Sequence, residues 1–360
     1  MKTLTTLLTV GLLALGTTAQ ECRGNRTEFS SQSELDELTQ DCSILNTEIR
    51  LVNYSGTLKL PNITNITRLS TQNSSISSAQ FPDLEHISEY LVIEHENPQE
   101  ESLRNISFSK LQYAANITLR FANETNEIEF PELLNATDID IGNAPSLSFP
   151  ALNNITYLSI MTGISNGFPN NDTNTPINVS VPALVDATSL RVIGNVESLS
   201  APNLTNTNSL NLAFYGPPVE LSFPKFSPEN KNGVLDVAGY ISSLSLPKLR
   251  IYRGRFEISS NVPIAIDIGL QSVRELDIEG EIESVYLPLL QEYEDLSVRP
   301  REGEGEEFDC GALEEKIEQT AGPQDDNGSF QCGGASELMG LGVRCSLGVA
   351  VGVYLIAVLV

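Results

Sequence analysis

The chain has 360 residues and a formal net charge of −26. A surface this acidic repels nucleic acid and anionic lipid headgroups, so we predict no nucleic-acid partner. An acidic balance is also an ordinary means of keeping extracellular proteins soluble, and it identifies no ligand by itself.

A short phrase recurs along most of the chain. It consists of an alternating apolar segment followed by Pro, any residue and a further apolar residue, as in SLSFPAL at residues 146–152. Taking the Pro position as the mark of each repeat, the marks lie at residues 61, 82, 109, 131, 150, 182, 202, 224, 247, 269 and 288. Ser109 and Gly269 replace the Pro in two copies.

A second alternating apolar segment follows about eight residues after each mark, as at Leu158 and Ile160. Gly or Asn often comes next, for example Gly142, Gly194 and Gly239. Alternation with period two predicts strands with one buried face. A repeat of about 20–30 residues predicts a solenoid whose coils bury one another, rather than an all-β sandwich with regular turns. We expect the Pro at a corner, because it cannot donate inside a ladder, and the apolar residue two positions later in the core.

The repeats are expected to form one solenoid of about eleven coils over residues 46–300. Residues 20–45 break the pattern and predict an N-terminal cap. This cap should contain a helix at residues 33–38, where Ser33 and Asp36 resemble a capping box, and a Cys22–Cys42 disulfide.

Residues 301–334 break the pattern a second time and predict an acidic C-terminal cap and linker. We expect a helix at residues 312–319 and a Cys310–Cys332 disulfide there. Both ends need caps, because an open terminal coil exposes apolar surface and unpaired strand edges.

The two termini carry targeting patterns. Residues 1–19 combine a positive start, an apolar stretch and small residues, which predicts a secretory signal peptide. At the other end, small residues, a spacer of about ten residues and the apolar tail 347–360 predict a GPI-anchor signal. We place the attachment at Gly334 and expect residues 335–360 to be removed, which discards the fifth cysteine, Cys345. A tail-anchor helix is the alternative.

Asn-x-Ser/Thr sequons are abundant and predict a heavily N-glycosylated secreted surface. The fourteen acceptors are Asn25, Asn53, Asn62, Asn65, Asn73, Asn105, Asn116, Asn123, Asn135, Asn154, Asn171, Asn178, Asn203 and Asn327. Asn65, Asn135 and Asn154 all lie four residues after a mark, so they should share one edge of the rod. The sequon-free interval from Asn203 to Asn327 is either chance or a bare surface that meets a partner.

Signs of catalysis are weak. The chain has two histidines, His86 and His95, and no phosphate-binding Gly loop, nucleophile elbow or HExxH motif, so we predict no cofactor, metal site or catalytic residue. β-Solenoid enzymes that cleave polysaccharides use paired carboxylates in a groove. Here Asp138 and Asp140 alternate with apolar residues, which predicts a solvated strand face, and Trp is absent.

The order of these parts resembles the fungal GPI-anchored cell-wall organisation proteins. The resemblance rests on a signal peptide ending at Ala19–Gln20, a Cys22–Cys42 cap, Pro-x-Leu repeats, a second cysteine pair and a GPI tail. It implies an ectodomain similar to the receptor L-domain, a leucine-rich, right-handed parallel β-solenoid, and a non-enzymatic role in wall integrity. The Ser/Thr-rich stalk that such proteins commonly carry is missing, which favours retention on the plasma membrane over transfer to wall glucan.

The leading hypothesis from the sequence is a structural or scaffolding protein at the fungal cell surface. Its partners would be wall polysaccharide or other surface glycoproteins, with the membrane reached through the GPI lipid. A wall-polysaccharide hydrolase or transglycosidase is one alternative, and a ligand-binding receptor ectodomain is the other.

Overall fold

The protein is a parallel β-solenoid of about 12 turns, and 62% of the residues that the structure describes lie in strands. The computed structural model describes residues 20–22, 27–94, 103–121, 128–143, 146–162, 164–165, 168–169, 176–301, 308–321 and 328–333. The predicted all-β solenoid with small helical, disulfide-tied caps is confirmed. The parallel pairing of the main ladder rules out the sandwich alternative.

The elements follow one another as a series of coils. In chain order they are β1 (Glu28–Phe29), α1 (Gln32–Thr39), β2 (Ile44–Val52), β3 (Ser55–Lys59), β4 (Asn65–Gln72), β5 (Ser75–Gln80), β6 (His86–Ile93), β7 (Asn105–Ser107), β8 (Tyr113–Arg120), β9 (Ile128–Glu129), β10 (Asn135–Gly142), β11 (Leu147–Ser148), β12 (Asn154–Met161), β13 (Ile164–Ser165), β14 (Phe168–Pro169), β15 (Ile177–Ser180), β16 (Asp186–Gly194), β17 (Val196–Ser200), β18 (Asn206–Ser222), β19 (Val234–Leu246), β20 (Ile251–Ile268), β21 (Ser272–Tyr286), β22 (Glu292–Pro300), α2 (Cys310–Ala321) and β23 (Ser329–Cys332).

The coils build one long main sheet and a second face. The main sheet has 14 strands in the order β1-β2-β4-β6-β8-β10-β12-β16-β18-β19-β20-β21-β22-β23. Short strands form the second face as the ladders β3-β5-β7 and β9-β11-β15-β17. From β18 to β21 single strands of 13 to 18 residues run through both faces. With coils about 4.8 Å apart, the rod is roughly 55 Å long.

The Pro marks lie at one corner of the coil, as predicted. Ten of the eleven marks fall in turns, and Gly269 follows the end of β20 directly. In several coils the residue two positions after the mark donates its backbone N–H to the carbonyl of the residue just before the mark. Leu184, for example, donates to the carbonyl of Val181 at 3.1 Å. Pro therefore occupies the second position of a β-turn, where its fixed φ is already suitable.

The core is a continuous stack of apolar side chains inside the rod. The residue before each mark and the apolar residue after it are buried in every coil, as Leu246 and Leu249 are. In the N-terminal coils the residue before the mark is Phe four times in succession. The rings of Phe81, Phe108, Phe130 and Phe149 stack with centroid distances of 5.3, 5.1 and 4.7 Å.

The opposite corner needs residues that accept positive φ. Asn53, Asn73 and Asn143 take φ of 52°, 47° and 50° there. In later coils Gly239 and its equivalents take φ of 103° to 129°. A Cβ on Gly239 would lie 2.0 Å from the carbonyl oxygen of Phe214 in the preceding coil, so no side chain fits.

The N-terminal cap closes the first coil through α1 and the Cys22–Cys42 disulfide, which the structure forms as predicted. The helix begins one residue earlier than predicted, at Gln32, with Ser31 as its N-cap. The predicted Ser33–Asp36 capping box is wrong, because Ser33 lies inside the helix. Glu34 instead accepts a hydrogen bond from the N–H of Ser30 at 2.8 Å, which satisfies a donor next to the helix start.

The side chain of Gln32 covers the free edge of β3. Its Nε2 donates to the carbonyl of Lys59 at 2.7 Å, and its Oε1 accepts from the N–H of Lys59 at 2.9 Å. Tyr54 also donates its hydroxyl to this oxygen. The Gln32 amide thus makes the two hydrogen bonds that a peptide group of a neighbouring strand would make, so both backbone groups of Lys59 are paired at this edge. Burial, with a contribution from Asp36, raises the pKa of Tyr54 to about 12.

The C-terminal cap consists of α2 and β23, which the Cys310–Cys332 disulfide joins as predicted. Asp309 caps the helix by accepting a hydrogen bond from the N–H of Ala312 at 2.9 Å. Leu313 and Ile317 are buried against the core. The last coil therefore does not present its apolar interior to water.

Candidate functional site

A ladder of polar side chains crosses the middle of the main sheet. Asn135, Asn154, Asp186 and Asn206 are direct register partners on β10, β12, β16 and β18. Each lies four residues after a mark, so each occupies the first position of its strand. Because adjacent strands are about 4.8 Å apart, these groups form a regular row.

This polar ladder borders a concave groove of about 200 Å³. The groove is shallow and open, and the nearly buried residues Ala136, Ile155 and Ala187, which share one register column, are among those that line it. Its complete lining is Asn135, Ala136, Asn154, Ile155, Thr156, Asp186, Ala187, Thr188, Asn206 and Asn208. We refer to these ten residues as the amide groove.

Hydrogen bonds hold three members of the ladder in place. Asn154 donates from Nδ2 to Oδ1 of Asn135 at 3.1 Å across neighbouring strands. Asn206 accepts at Oδ1 from the N–H of Glu229 at 2.9 Å, which ties the loop after β18 to the groove. The amides therefore point in defined directions, while Thr188 and Asn208 remain exposed to solvent.

Two exposed aromatic rings lie beside the groove. Tyr113 is the register partner of Asn135 on β8 and is 39% exposed. Tyr157 follows Thr156 along β12 and is 50% exposed. An exposed tyrosine offers a flat apolar face and a hydroxyl, and such rings commonly contact ligands.

Carboxylates on the neighbouring outer face are partly desolvated. Burial, together with Asp140, raises the pKa of Asp138 above its ordinary value. Among the lining residues of the amide groove, Asp186 carries the sole carboxylate. A two-carboxylate pair for acid–base hydrolysis is therefore not assembled within this groove.

Most of the predicted glycan acceptors that the structure describes are open to solvent. The exposed ones are Asn53, Asn62, Asn73, Asn105, Asn116, Asn135, Asn154 and Asn178. Asn65 and Asn203 are half-buried, and Asn203 donates from Nδ2 to the carbonyl of Pro182 at 2.7 Å. The shared edge predicted for Asn65, Asn135 and Asn154 is confirmed, because all three begin main-sheet strands in one register column.

Several predicted sites fall outside the described residues. They are the anchor residue Gly334, Cys345, His95 and the acceptors Asn25, Asn123, Asn171 and Asn327. His86 is exposed at the start of β6. Within the described ranges no group of three or more His, Cys, Asp or Glu side chains could hold a metal ion. No helix of those ranges is long and apolar enough to cross a membrane.

The sequence interpretation missed Asp186 and Asn206 as neighbours of the glycan acceptors. The signal was present, because both follow a mark by four residues as Asn135 and Asn154 do. The 32-residue step between the marks at 150 and 182 hid it. The extra residues contain the small hairpin β13–β14. They do not shift the pairing register between β12 and β16.

The chain was compared with protein-family models, with curated proteins and with solved structures, and none of them matches it significantly.

Proposed function

We propose that this protein is a GPI-anchored, N-glycosylated structural protein of the fungal cell surface, which supports the organisation and integrity of the wall. In this role the solenoid is a rigid spacer. It presents glycans and polar side chains to wall polysaccharide or to other surface glycoproteins, and it needs no catalytic centre.

The observation that carries the proposal is the agreement between the disulfides and the exposed sequons. Both caps are tied by disulfides, which persist in oxidising compartments outside the cytosol. Eight asparagines in sequons are exposed on the rod, as glycan attachment on a secreted surface requires. A secreted location accounts for both features at once.

The anchor part of the proposal rests on the sequence. Small residues at 333–336, a spacer and the apolar tail 347–360 have the order of a GPI signal. Loss of residues beyond Gly334 would leave the four cysteines that form the two disulfides. We further propose retention on the outer face of the plasma membrane, because residues 301–333 are acidic and lack the Ser/Thr-rich composition of a stalk.

The experiment is release of the protein from intact membranes by phosphatidylinositol-specific phospholipase C, followed by mass spectrometry of its C-terminal peptide. The proposal predicts release, with a glycolipid remnant at Gly334 or an adjacent small residue and no peptide beyond it. A Gly333→Leu/Gly334→Leu/Ala335→Leu/Ser336→Leu variant, which lacks small attachment residues, should not be released. Retention of Val360 in the membrane-bound protein would contradict the anchor and favour a tail helix.

A further inference from the structure

The amide groove has the chemistry of a site for neutral sugars. We propose that it binds pyranose rings of a neutral oligosaccharide, which lie across β10, β12, β16 and β18. The inference deepens the proposed function by naming the surface that would contact sugar, and it relies on that function only for a location outside the cell.

The hydrogen-bonding groups of the groove match sugar hydroxyls. Asn135, Asn154, Asn206 and Asn208 each offer a donor and an acceptor at the end of a short side chain, and hydroxyl groups need both. Thr156 and Thr188 add hydroxyls that can serve in either sense. The regular strand spacing repeats these groups, as the hydroxyls of an oligosaccharide repeat from ring to ring.

The shape of the groove and the aromatic rings beside it also fit. Ala136, Ile155 and Ala187 line the groove, but they are at most 7% exposed and contribute only a little apolar surface. Tyr113 and Tyr157 stand exposed beside it and can extend that surface. The volume of about 200 Å³ is of the order of one pyranose ring, and the open sides let further rings continue along the sheet.

Charge selects neutral sugars over acidic ones. Asp186 lies in the groove, and no Lys or Arg is among the lining residues. The whole chain carries a formal charge of −26, which would repel an anionic polysaccharide.

A second observation points independently to sugar at this place. Asn135 and Asn154 both stand in N-glycosylation sequons, both are exposed, and both line the groove. The sugar could therefore come from two sources: the chain's own glycan on one of these asparagines, or a separate polysaccharide. The chemistry of recognition is the same in either case.

The test measures binding of gluco-, manno- and N-acetylglucosamine oligosaccharides to the purified full chain by titration calorimetry. Thr188→Arg fills the groove with an exposed, charged side chain and should weaken binding at least about tenfold. Asn208→Ala removes one hydrogen-bonding group and should weaken it about two- to tenfold. Asn211→Ala, on the same strand but outside the groove, is the matched control and should leave affinity unchanged.

A second background separates the two sources. Protein produced in a bacterial periplasm, which forms disulfides but adds no such N-glycan, keeps Asn135, Asn154 and Thr156 intact. Binding by the protein from its native host indicates a separate oligosaccharide. Binding only by the glycan-free protein, lost again on adding Thr188→Arg, indicates that the chain's own glycan fills the groove.

Absence of binding in both backgrounds would overturn the inference, as would binding that Thr188→Arg leaves unchanged. Thermal unfolding of each variant shows that a loss of binding is not a loss of folding. Either negative result leaves the phospholipase experiment untouched, because that experiment depends on the C-terminal segment and not on the groove.

Discussion

The N-terminal and C-terminal halves of the rod build the same coil in different ways. Up to β17, each coil has a separate short strand on the second face, and four stacked Phe rings fill the core behind the Pro corner. From β18 onward, single long strands run through both faces and Gly occupies the opposite corner in β19 and β21. Thirteen of the fourteen sequons lie at or before Asn203, and none lies between Asn203 and Asn327.

This difference shows that the repeat determines where the chain turns, whereas the lengths of the strands between the turns vary. An Asn in the left-handed region closes the opposite corner in early coils, and its side chain stays outside. Gly194, Gly239 and Gly280 close it in β16, β19 and β21, where the backbone of the preceding coil comes too close for a Cβ. The sequon-rich half and the half without sequons from residue 204 to residue 301, here called the bare half, are therefore one fold with two surfaces.

The largest expected effect comes from the Phe stack of the N-terminal half. Phe130 is fully buried between Phe108 and Phe149, so Phe130→Ala should lower the free energy of unfolding by about 3–5 kcal/mol. Chemical denaturation monitored by circular dichroism measures it. Phe130→Leu installs the residue found at the same position in a later coil, Leu246, and should cost clearly less. Equal losses for the two variants would show that the stack is not what fills this part of the core.

The next effect tests the close approach at the Gly corner of the C-terminal half. Gly239→Ala combines positive φ with a Cβ placed 2.0 Å from the Phe214 carbonyl oxygen, so we expect a loss of about 3 kcal/mol or more. The matched control is Gly56→Ala in β3, where φ is 89° but no atom lies within 4 Å of the added Cβ. It should cost only backbone strain, about 1–2 kcal/mol. A control as damaging as Gly239→Ala would refute the steric explanation.

A smaller effect is expected where Gln32 covers the edge of β3. Gln32→Ala removes hydrogen bonds to both backbone groups of Lys59 and to the Tyr54 hydroxyl, at a cost of about 1–3 kcal/mol. Gln40→Ala, at the exposed end of the same helix, should change stability by less than about 0.5 kcal/mol. Hydrogen exchange should also accelerate at the Lys59 amide in the first variant alone. Unchanged exchange there would mean that the edge is protected by other means.

The smallest effect concerns the bare half, where Asp236, Glu257 and Asp277 are direct register partners on adjacent strands. Burial, and then Glu257, raises the pKa of Asp236 above 3.8, so the carboxyl binds its proton more tightly in the folded than in the unfolded state. The resulting contribution to the free energy of unfolding is fully present below pH 3.8 and is lost as pH rises through the folded-state pKa. Asp236→Asn should therefore stabilise the protein by about 0.2–1 kcal/mol at pH 7.

The pH dependence of this gain provides the check. Thermal unfolding from pH 3 to pH 7 should show the advantage of Asp236→Asn disappearing near pH 3, where the wild-type carboxyl is also neutral. Asp41→Asn, on the exposed N-terminal cap, should give a difference below about 0.5 kcal/mol throughout. An advantage that persists at pH 3 would point to a cause other than charge.

The sequence predicted the features that depend on local chemistry. Pro at the corner follows from its missing N–H, and the burial of Leu152 or Leu184 two residues later follows from the period of the strand. The two disulfides were predictable because each cysteine pair flanks a segment that breaks the repeat. Features that depend on neighbouring coils were not predictable in this way.

The unpredicted features depend on which atoms two coils bring together. The pairing of the Gln32 amide with Lys59 requires the angle at which α1 meets the first coil. The amide groove requires that an insertion before β16 leave its register with β12 intact, which the spacing of 32 residues obscured. In the sequence, Ala136 and Ala187 are ordinary buried strand positions, and only the paired strands show that they line this groove.

The most direct test of a glycan-bearing half and a bare half on a cell-surface rod is a glycopeptide map of the mature protein from its native host. The account predicts occupied sites among the eight exposed sequons from Asn53 to Asn178, and an unmodified surface from residue 204 to residue 301. A mature chain without N-glycans at any of these asparagines would contradict both the secreted location and the division of the rod into two surfaces.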